Sequence, residues 1–336
     1  MRVTIKEVAK EANVSLSTVS RVLHNSSKIT DETKKRVNDA IKKLGYHPNY
    51  IASSLAGKPT KTIGIVLPND SDELFKNTFF INAMRGISIY AQKRGYFLMY
   101  SFSKDDEEEV KFIEKYIRSG WVSGVVLLNS FENDKCIEYL EEHSFPFVII
   151  GTPNRPKSIN WVDNDNRQAM KDVVLSLVKK GKKSIAFIGG HKKMKVTKDR
   201  YLGYQEALEE SGLKIKKNSN FFFDSFTEEN GKKAMRNLLS TNDVDAVVTT
   251  DDLFSFGVLD VLKENKRLDI MVTGFNNTPR STFISPTLTT VEINADELGE
   301  KAARLLIENL ENKDLEKQGL LVSSSLIERE STKNEL

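Results

Sequence analysis

The stretch that decides the fold of the N-terminal part is Thr4–Leu23, which reads TIKEVAKEANVSLSTVSRVL. In its first half, the apolar residues Ile5, Val8, Ala9 and Ala12 recur at i, i+3, i+4 and i+7. This spacing places them along one side of a helix, while the lysines and glutamates between them face water. The first half is therefore predicted to be a short amphipathic helix.

Polar residues mark where this helix and a second one begin. Thr4 and Glu7 have the spacing of a capping box, which satisfies free backbone N–H groups at a helix start. Asn13 interrupts the apolar pattern, and Ser15 is a second N-cap candidate ahead of the periodic run Leu16–Leu23. Two short helices joined by a tight turn predict a helix-turn-helix.

The second helix carries side chains suited to reading DNA. The hydroxyls of Ser17 and Thr18 are small enough to let the backbone approach base edges, and Arg21 can contact guanine O6 and N7 with its forked guanidinium. The alternative is that these hydroxyls only cap and solvate a surface helix. The helix pair by itself leaves both interpretations open.

The charge distribution favours DNA binding. The first 60 residues contain 11 Lys and Arg against 5 Asp and Glu, a net +6, and the remainder contains 39 against 42, a net −3. A basic N-terminal part is typical of proteins that neutralise a phosphate backbone. A third helix, with Thr30 as its N-cap and Gly45 as its stop signal, is predicted to complete an all-α domain over residues 1–48.

A linker over residues 49–60 follows, because Pro48 cannot continue a helix. The segment Asn49–Ala56 is long enough for one or two helical turns, but a helix this short is marginal in water. We expect it to fold only with help from a partner.

From Thr62 onward, short apolar runs alternate with amphipathic helices. This alternation is typical of parallel sheets with helices on both faces. Residues 61–330 are more than one such sheet usually needs, so we expect two lobes divided near Asn160–Asn166. The short polar end, residues 331–336, is predicted to be disordered. The predicted strands are Ile63–Leu67, Tyr96–Tyr100, Val125–Leu128, Phe147–Ile150, Ile185–Ile188, Ala246–Thr249 and Ile270–Thr273.

Polar side chains that follow these strands are candidates for a ligand site. In two-lobed α/β proteins, ligands bind in the crevice at the carboxyl ends of the strands. Amides, carboxylates and a guanidinium there suit sugar hydroxyls, and an aromatic ring at Phe79 or Phe80 suits a sugar face. Simple core packing is the alternative for both rings, and Asp252 is expected to be a scaffold cap. The candidates are Asn69, Phe79, Asp163, Arg200, Asp251 and Asn276.

The runs VTIKEVAKEANVSLSTVSRVLHN and ITDETKKRVNDAIKKLGYHPNYIASSLAGK resemble the DNA-binding region of the lactose-repressor (LacI/GalR) family, without gaps from Val3 to Lys58. The resemblance extends more loosely to about Glu330. It implies an α/β fold class: an all-α helix-turn-helix head, then a two-lobed periplasmic-binding-protein-like body with parallel sheets. The chain would cross between the lobes again near Pro286–Leu288 and Gly319.

The resemblance also implies how DNA is bound. Two heads of a homodimer would read a palindromic operator in double-stranded DNA. The linker resembles a hinge helix that lies in the minor groove, with Leu55 wedged into the central base step. Packing of Leu55 against the body is the alternative. The expected DNA contacts are Thr4, Ser15, Leu16, Ser17, Thr18, Ser20, Arg21, Asn25, Asn49, Ser53 and Leu55.

A further resemblance points to the effector. The string Gly274–Asn277, GFNN, and the segment Asn77–Gly86 are similar to those of maltose repressors of Gram-positive bacteria. Asp163, Arg200, Asp251 and Asn276 sit where family members contact the effector, although Asn276 replaces a common aspartate. Maltose or a maltodextrin is therefore the expected ligand. Its binding would close the lobes, disorder the hinge and weaken DNA binding.

Other function classes find less support. Four scattered histidines lack metal-ligand spacing, and no nucleophile motif or phosphate loop is present, so neither an enzyme nor a cofactor is expected. The single Cys136 and the lack of a signal or membrane span predict a cytoplasmic protein. A secreted sugar-binding protein is an alternative that the basic head disfavours. Arg304 resembles the arginine with which catabolite control proteins meet a phosphocarrier protein, but a surface arginine on an amphipathic helix is the favoured explanation.

Overall fold

The structure is a computed structural model that describes residues 3–23, 26–46, 60–68, 77–241 and 244–333. The chain forms two compact units, Met1–Thr60 and Lys61–Leu336. The predicted hinge helix lies outside the described residues, as do the candidate contacts Asn25, Asn49, Ser53, Leu55 and Asn69.

The first unit is the predicted three-helix head, with α1 at Ile5–Glu11, α2 at Leu16–Leu23 and α3 at Asp31–Leu44. Its helix ends follow the predicted chemistry, because Thr33 donates its N–H to Thr30 Oγ1 and Gly45 ends α3 at φ 60°. The apolar stripes meet in one core. Its buried members are Val8, Ala9, Ala12, Val19, Val22, Val37, Ala40 and Tyr46.

The second unit contains eight α-helices and twelve strands within the described residues. The helices are α4 Thr78–Lys93, α5 Asp106–Ser119, α6 Lys135–Glu142, α7 Asn166–Lys179, α8 Lys195–Glu210, α9 Glu228–Thr241, α10 Asp252–Glu264 and α11 Ala295–Glu311. The strands are β1 Thr62–Pro68, β2 Phe97–Ser103, β3 Gly124–Leu127, β4 Phe147–Ile150, β5 Asn160–Asn164, β6 Ile185–Gly189, β7 Asn220–Phe222, β8 Ala246–Thr249, β9 Met271–Phe275, β10 Thr289–Glu292, β11 Gly319–Val322 and β12 Ser325–Ile327.

These strands form two six-stranded sheets, one in each lobe. Lobe 1 has the order β11-β5-β4-β3-β1-β2, with every pair parallel. Lobe 2 has the order β12-β10-β9-β8-β6-β7, in which β12 alone runs antiparallel to its neighbour. Each sheet has an apolar core on both faces, which explains why the central strands read as unbroken apolar runs.

The chain crosses between the lobes three times. The first crossing, at Asn164–Asn166, is where the sequence placed it. The later crossings were predicted wrongly: the chain leaves lobe 2 between β10 and α11 and leaves lobe 1 between β11 and β12. Pro286–Leu288 stays in lobe 2 because Leu288 donates its N–H to Ser281 O at 2.8 Å, and Gly319 begins a strand of lobe 1.

The end of the chain also differs from the prediction of disorder from Ser331. Residues Glu330–Thr332 form a 3₁₀ turn, and Ser331 and Thr332 are buried. Ser331 donates its hydroxyl to Val272 O at 2.6 Å, and Thr332 shares a hydrogen bond with Thr289. Polar composition was misleading here because these hydroxyls are buried and find hydrogen-bond partners on β9 and β10 of lobe 2.

Candidate functional site

A cavity lies between the two lobes, at the carboxyl ends of their strands. Five of the six predicted ligand contacts line it: Phe79, Asp163, Arg200, Asp251 and Asn276. Whether they contact an effector stays a prediction. The other residues that line it are Asn77, Phe80, Leu128, Asn129, Ser130, Ile150, Gly151, Asn164, Asn166, Met194, Lys195, Val196, Phe226, Thr250, Ile293 and Leu298.

Arg200 is a buried cation that lines this cavity. It projects from α8, is 5 % exposed, and its guanidinium stacks over the ring of Phe275 at 3.9 Å. Its Nε donates to Asn166 Oδ1 at 2.9 Å and its Nη1 to Thr250 O at 2.7 Å. Burial lowers the pKa of Arg200 to about 10, while the carboxylates of Asp163 and Asp251 oppose this shift. The side chain is therefore still cationic at neutral pH.

Asp163 lies on β5 and is joined to Arg200 through Asn166. Its Oδ1 accepts from Asn166 Nδ2 at 2.8 Å and from the backbone N–H of Asn164 at 2.8 Å, and its Oδ2 accepts from Thr152 Oγ1 at 2.9 Å. Burial raises the pKa of Asp163 to about 6, although these hydrogen bonds favour the charged form. Asn166 thus holds a carboxylate with one end of its amide and a guanidinium with the other.

Asp251 connects the two lobes. This residue is the N-cap of α10, and its Oδ1 accepts the N–H of Leu253 at 2.8 Å. Its Oδ2 accepts one amide from each lobe: Asn77 Nδ2 at 3.0 Å from lobe 1 and Asn276 Nδ2 at 2.8 Å from lobe 2. Burial raises the pKa of Asp251 to about 7. Because Oδ2 already has two donors, Asp251 also positions the two amides beside the cavity.

A second contact between the lobes lies at the edge of the cavity. Phe131 pairs with Met194 as an isolated antiparallel bridge, flanked by Glu132 N–H to Lys193 O at 2.9 Å and Lys195 N–H to Ser130 O at 3.0 Å. An ion pair between Glu132 and Lys198 joins the same two segments. The cavity is thus bordered by hydrogen bonds between the lobes in two places.

Two adjacent aromatic rings of lobe 1 contribute to the apolar lining of the cavity. Phe79 and Phe80, in the first turn of α4, pack edge to face with their centroids 5.2 Å apart. Both are half-buried, and both also contact the apolar core of lobe 1. Core packing is therefore confirmed for both rings, which also line the cavity, and their contact with a ligand stays a prediction.

Asp252 is a scaffold residue, in agreement with the sequence. It is fully buried and accepts Thr278 N–H at 2.8 Å, Thr278 Oγ1 at 2.9 Å and Thr290 Oγ1 at 2.6 Å. These bonds fix the loop that follows β9, and with it Asn276, which has a φ of 99°. Asp252 itself is not among the residues that line the cavity.

The sequence missed several lining residues, some of which carried a signal. Asn129 and Ser130 follow β3, and Thr250 follows β8, so the rule that found Asp251 also identifies them. Asn77 is the N-cap of α4, with Oδ1 accepting Phe79 N–H at 3.1 Å. Met194 and Lys195 carried no such signal, because they are brought to the cavity by the pairing between lobes.

The head presents one face of α2 to solvent. Val19 and Val22 are buried, whereas Ser17 and Arg21 are exposed and Leu16 is 44 % exposed. Arg21 and Ser17 are four residues apart and therefore share a helix face. Among the described residues, the guanidinium of Arg21 has no hydrogen-bond or salt-bridge partner.

The other described DNA candidates lie at the starts of α1 and α2 or within α2. Ser15 Oγ accepts Thr18 N–H at 3.1 Å and lies 2.8 Å from both Ser17 Oγ and Thr18 Oγ1. Thr4 donates its N–H to Glu7 Oε2 at 2.7 Å. Ser20 is half-buried on α2. Contact of these residues with DNA stays a prediction.

Two kinds of site are not found in the described part of the chain. No helix there is both long and apolar enough to cross a membrane. No group of three or more His, Cys, Asp or Glu side chains in those ranges is arranged to hold a metal ion.

Comparison with known proteins relates both units to one family. A model of bacterial regulatory proteins of the lacI family matches residues 4–49, and a periplasmic binding protein-like domain matches residues 174–332. The HTH-type transcriptional regulator MalR of Streptococcus pneumoniae is 42 % identical, over 94 % of this chain and 96 % of that protein.

Two solved structures are similar to this chain, one over nearly its whole length and the other over about four-fifths of it. A transcriptional regulator CelR–cellobiose complex is 29 % identical, with a TM-score of 0.76, over 98 % of this chain and 100 % of that one. The probable maltose operon transcriptional repressor of Staphylococcus aureus is 26 % identical, with a TM-score of 0.74, over 83 % and 100 %. The chain therefore belongs to the lacI family of bacterial regulatory proteins and is a DNA-binding transcriptional regulator.

Proposed function

We propose that this regulator is a repressor whose affinity for its operator is lowered by maltose or a maltodextrin. The observation that carries the proposal is the cavity around Arg200. It combines a buried cation, two carboxylates, five amides and three aromatic rings between the two lobes. Hydroxyl groups of a sugar need both donors and acceptors, and its apolar face needs a ring.

Similarity supports a disaccharide in particular. The related CelR structure contains cellobiose, and the related Staphylococcus aureus protein is a probable repressor of a maltose operon. Asn276 replaces the aspartate that is common in the family, and its amide favours a different set of contacts with sugar hydroxyls. Its Nδ2 is held by Asp251, and its Oδ1 makes no hydrogen bond within the described residues.

DNA would be bound by a homodimer on a palindromic operator. Each head would place α2 in the major groove, and two heads would read half-sites related by two-fold symmetry. The insertion of Leu55 into the minor groove is part of this proposal.

The sugar and the operator would act on each other through lobe closure. A ligand that binds the closed lobes more tightly shifts the protein toward them, and DNA then binds less well. A coupling free energy of about 1–3 kcal/mol corresponds to a change of about 5- to 150-fold in operator affinity.

The direct test is operator affinity with and without maltose. A preferred duplex is selected from a random pool, and its dissociation constant is measured by fluorescence anisotropy at fixed salt, because affinity depends steeply on salt. We expect maltose to raise that constant by at least about fivefold. Cellobiose, a disaccharide of the same size with a different linkage, is the control. An affinity that maltose leaves unchanged rejects maltose as the inducer and retains the DNA-binding regulator.

Arg21→Ala tests the assignment of base reading to α2. We expect the variant to lose about 5- to 150-fold in affinity for the selected operator, since a bidentate contact to guanine contributes about 1–3 kcal/mol of discrimination. Affinity for an unrelated duplex is expected to change far less. Arg36→Ala, an exposed arginine of α3, is the matched control. An equal loss on both duplexes would instead assign Arg21 to a phosphate.

A second candidate effector is a phosphocarrier protein acting as co-repressor. The observation that favours it is Arg304, which is exposed on α11 and makes no ion pair within the described residues. In the same anisotropy experiment, a phosphorylated carrier would raise operator affinity rather than lower it. Loss of that effect in Arg304→Ala would establish this candidate.

A further inference from the structure

All three crossings between the lobes meet at one side chain. Asn164 lies in the first crossing and is 4 % exposed. Its Nδ2 donates to Ile293 O at 3.0 Å in the second crossing and to Val322 O at 3.0 Å at the start of the third. One amide group therefore uses both of its N–H bonds to connect the three segments on which the lobes turn.

A second asparagine reinforces the same place. Asn294, in the second crossing, donates its Nδ2 to Ser323 O at 2.9 Å in the third. Its backbone has a φ of 53°, and its N–H is accepted by Glu292 Oε1 at 2.8 Å. The second and third crossings are thus joined to each other as well as to Asn164.

The crossings are also connected to the cavity. The N–H of Asn164 donates to Asp163 Oδ1 at 2.8 Å, and the same oxygen accepts Asn166 Nδ2 at 2.8 Å. Asn166 Oδ1 in turn accepts Arg200 Nε at 2.9 Å. A continuous series of hydrogen bonds therefore runs from the cation in the cavity to all three crossings.

We propose that Asn164 is a positioning residue that makes the three crossings bend as one hinge, so that a ligand at Arg200 moves the lobes as rigid bodies. Without its amide, the buried carbonyls of Ile293 and Val322 lose their donor. The crossings then bend independently, and ligand binding selects a less defined arrangement of the lobes. The effect of ligand on DNA falls in consequence.

A first test measures DNA binding and rests on the proposed function. Its readout is the operator dissociation constant at saturating maltose divided by the constant without maltose. We expect Asn164→Ala to lower this ratio at least about threefold, toward one. Asn294→Gly keeps the left-handed backbone and removes the bond to Ser323 O, so we expect a smaller decrease in the ratio. Within the described residues, the side-chain amide of Asn265 donates to Val261 O in its own helix end, so Asn265→Ala is expected to leave the ratio unchanged.

A second readout needs no effector. In a Cys136→Ala background, Lys111→Cys on lobe 1 and Lys214→Cys on lobe 2 carry spin labels, since both lysines are exposed. Double electron–electron resonance then measures the distribution of distances between the two labels, and so between the lobes. We expect Asn164→Ala to broaden it and Asn265→Ala to leave it unchanged. If maltose does not change the operator affinity of the wild type, the proposed function is contradicted. The distance distribution then tests the role of Asn164 without the DNA readout. A distribution in Asn164→Ala as narrow as in the wild type overturns it.

Discussion

Replacement of Arg200 by alanine is expected to abolish the response of operator affinity to maltose. The guanidinium supplies donors where it lines the cavity, and its charge compensates the buried carboxylates of Asp163 and Asp251. Removing the guanidinium also takes a donor from Asn166 Oδ1 and from Thr250 O, and a buried polar group left without its partner costs about 1–3 kcal/mol. Without the cation, the pKa of each carboxyl rises further above its ordinary value, and the cavity loses its acceptors as these groups protonate.

Calorimetry of maltose binding and operator anisotropy together check this expectation. The variant should bind the operator without maltose as the wild type does, because the head is a separate unit. It should show no measurable heat of maltose binding. Arg236→Ala, which removes an exposed arginine of the same lobe with long ion pairs to Glu229 and Glu264, is the control and should respond normally. Wild-type affinity for maltose in Arg200→Ala would show that the sugar binds elsewhere.

Gly299→Ala is expected to lower the free energy of unfolding of the body by about 2 kcal/mol or more. In α11 a Cβ at Gly299 would lie 2.0 Å from the backbone oxygen of Ala83, and one at Gly86 in α4 would lie 2.0 Å from that of Asp296. These are backbone atoms, so no side chain can move aside. Overpacking typically costs about 1–3 kcal/mol and sometimes more, which exceeds the gain of up to about 1 kcal/mol from replacing glycine in a helix.

Urea unfolding followed by circular dichroism measures the effect. Glu300→Ala is the matched control, because this neighbouring residue of α11 is exposed. We expect the control to stay within about 0.5 kcal/mol of the wild type. A similarly small effect of Gly299→Ala would mean that α4 and α11 separate at little cost.

Much of the fold was predictable because it depends on local chemistry. The capping threonine at Thr30, the stop at Gly45 and the apolar runs of the central strands each act within a few residues. The missed strands, such as β7 and β12, are three residues long and lie at sheet edges. The crossing points were missed because they depend on which sheet β10 and β11 join, which is a matter of pairing between distant segments.

The candidate site was predictable where it depends on residues that follow strands, and not where it depends on pairing between distant segments. Residues that follow parallel strands converge, which brought Asp163, Arg200, Asp251 and Asn276 to one cavity. The sequence could not show that Asp251 bonds Asn77, because 174 residues separate them along the chain. Hydrogen bonds of this kind decide whether a side chain is available to the ligand or instead positions a second side chain beside the cavity.

The three crossings impose an order on the synthesis of this protein. Lobe 1 begins with β1 but lacks α11 and β11 until after β6 through β10 have been made. Until then, the side of α4 that carries Ala83 and Ile87 has no partner helix, although both residues are fully buried against α11 in the finished lobe. The growing chain therefore completes most of its second lobe before its first. An apolar surface of lobe 1 remains open to chaperones or to aggregation throughout that interval.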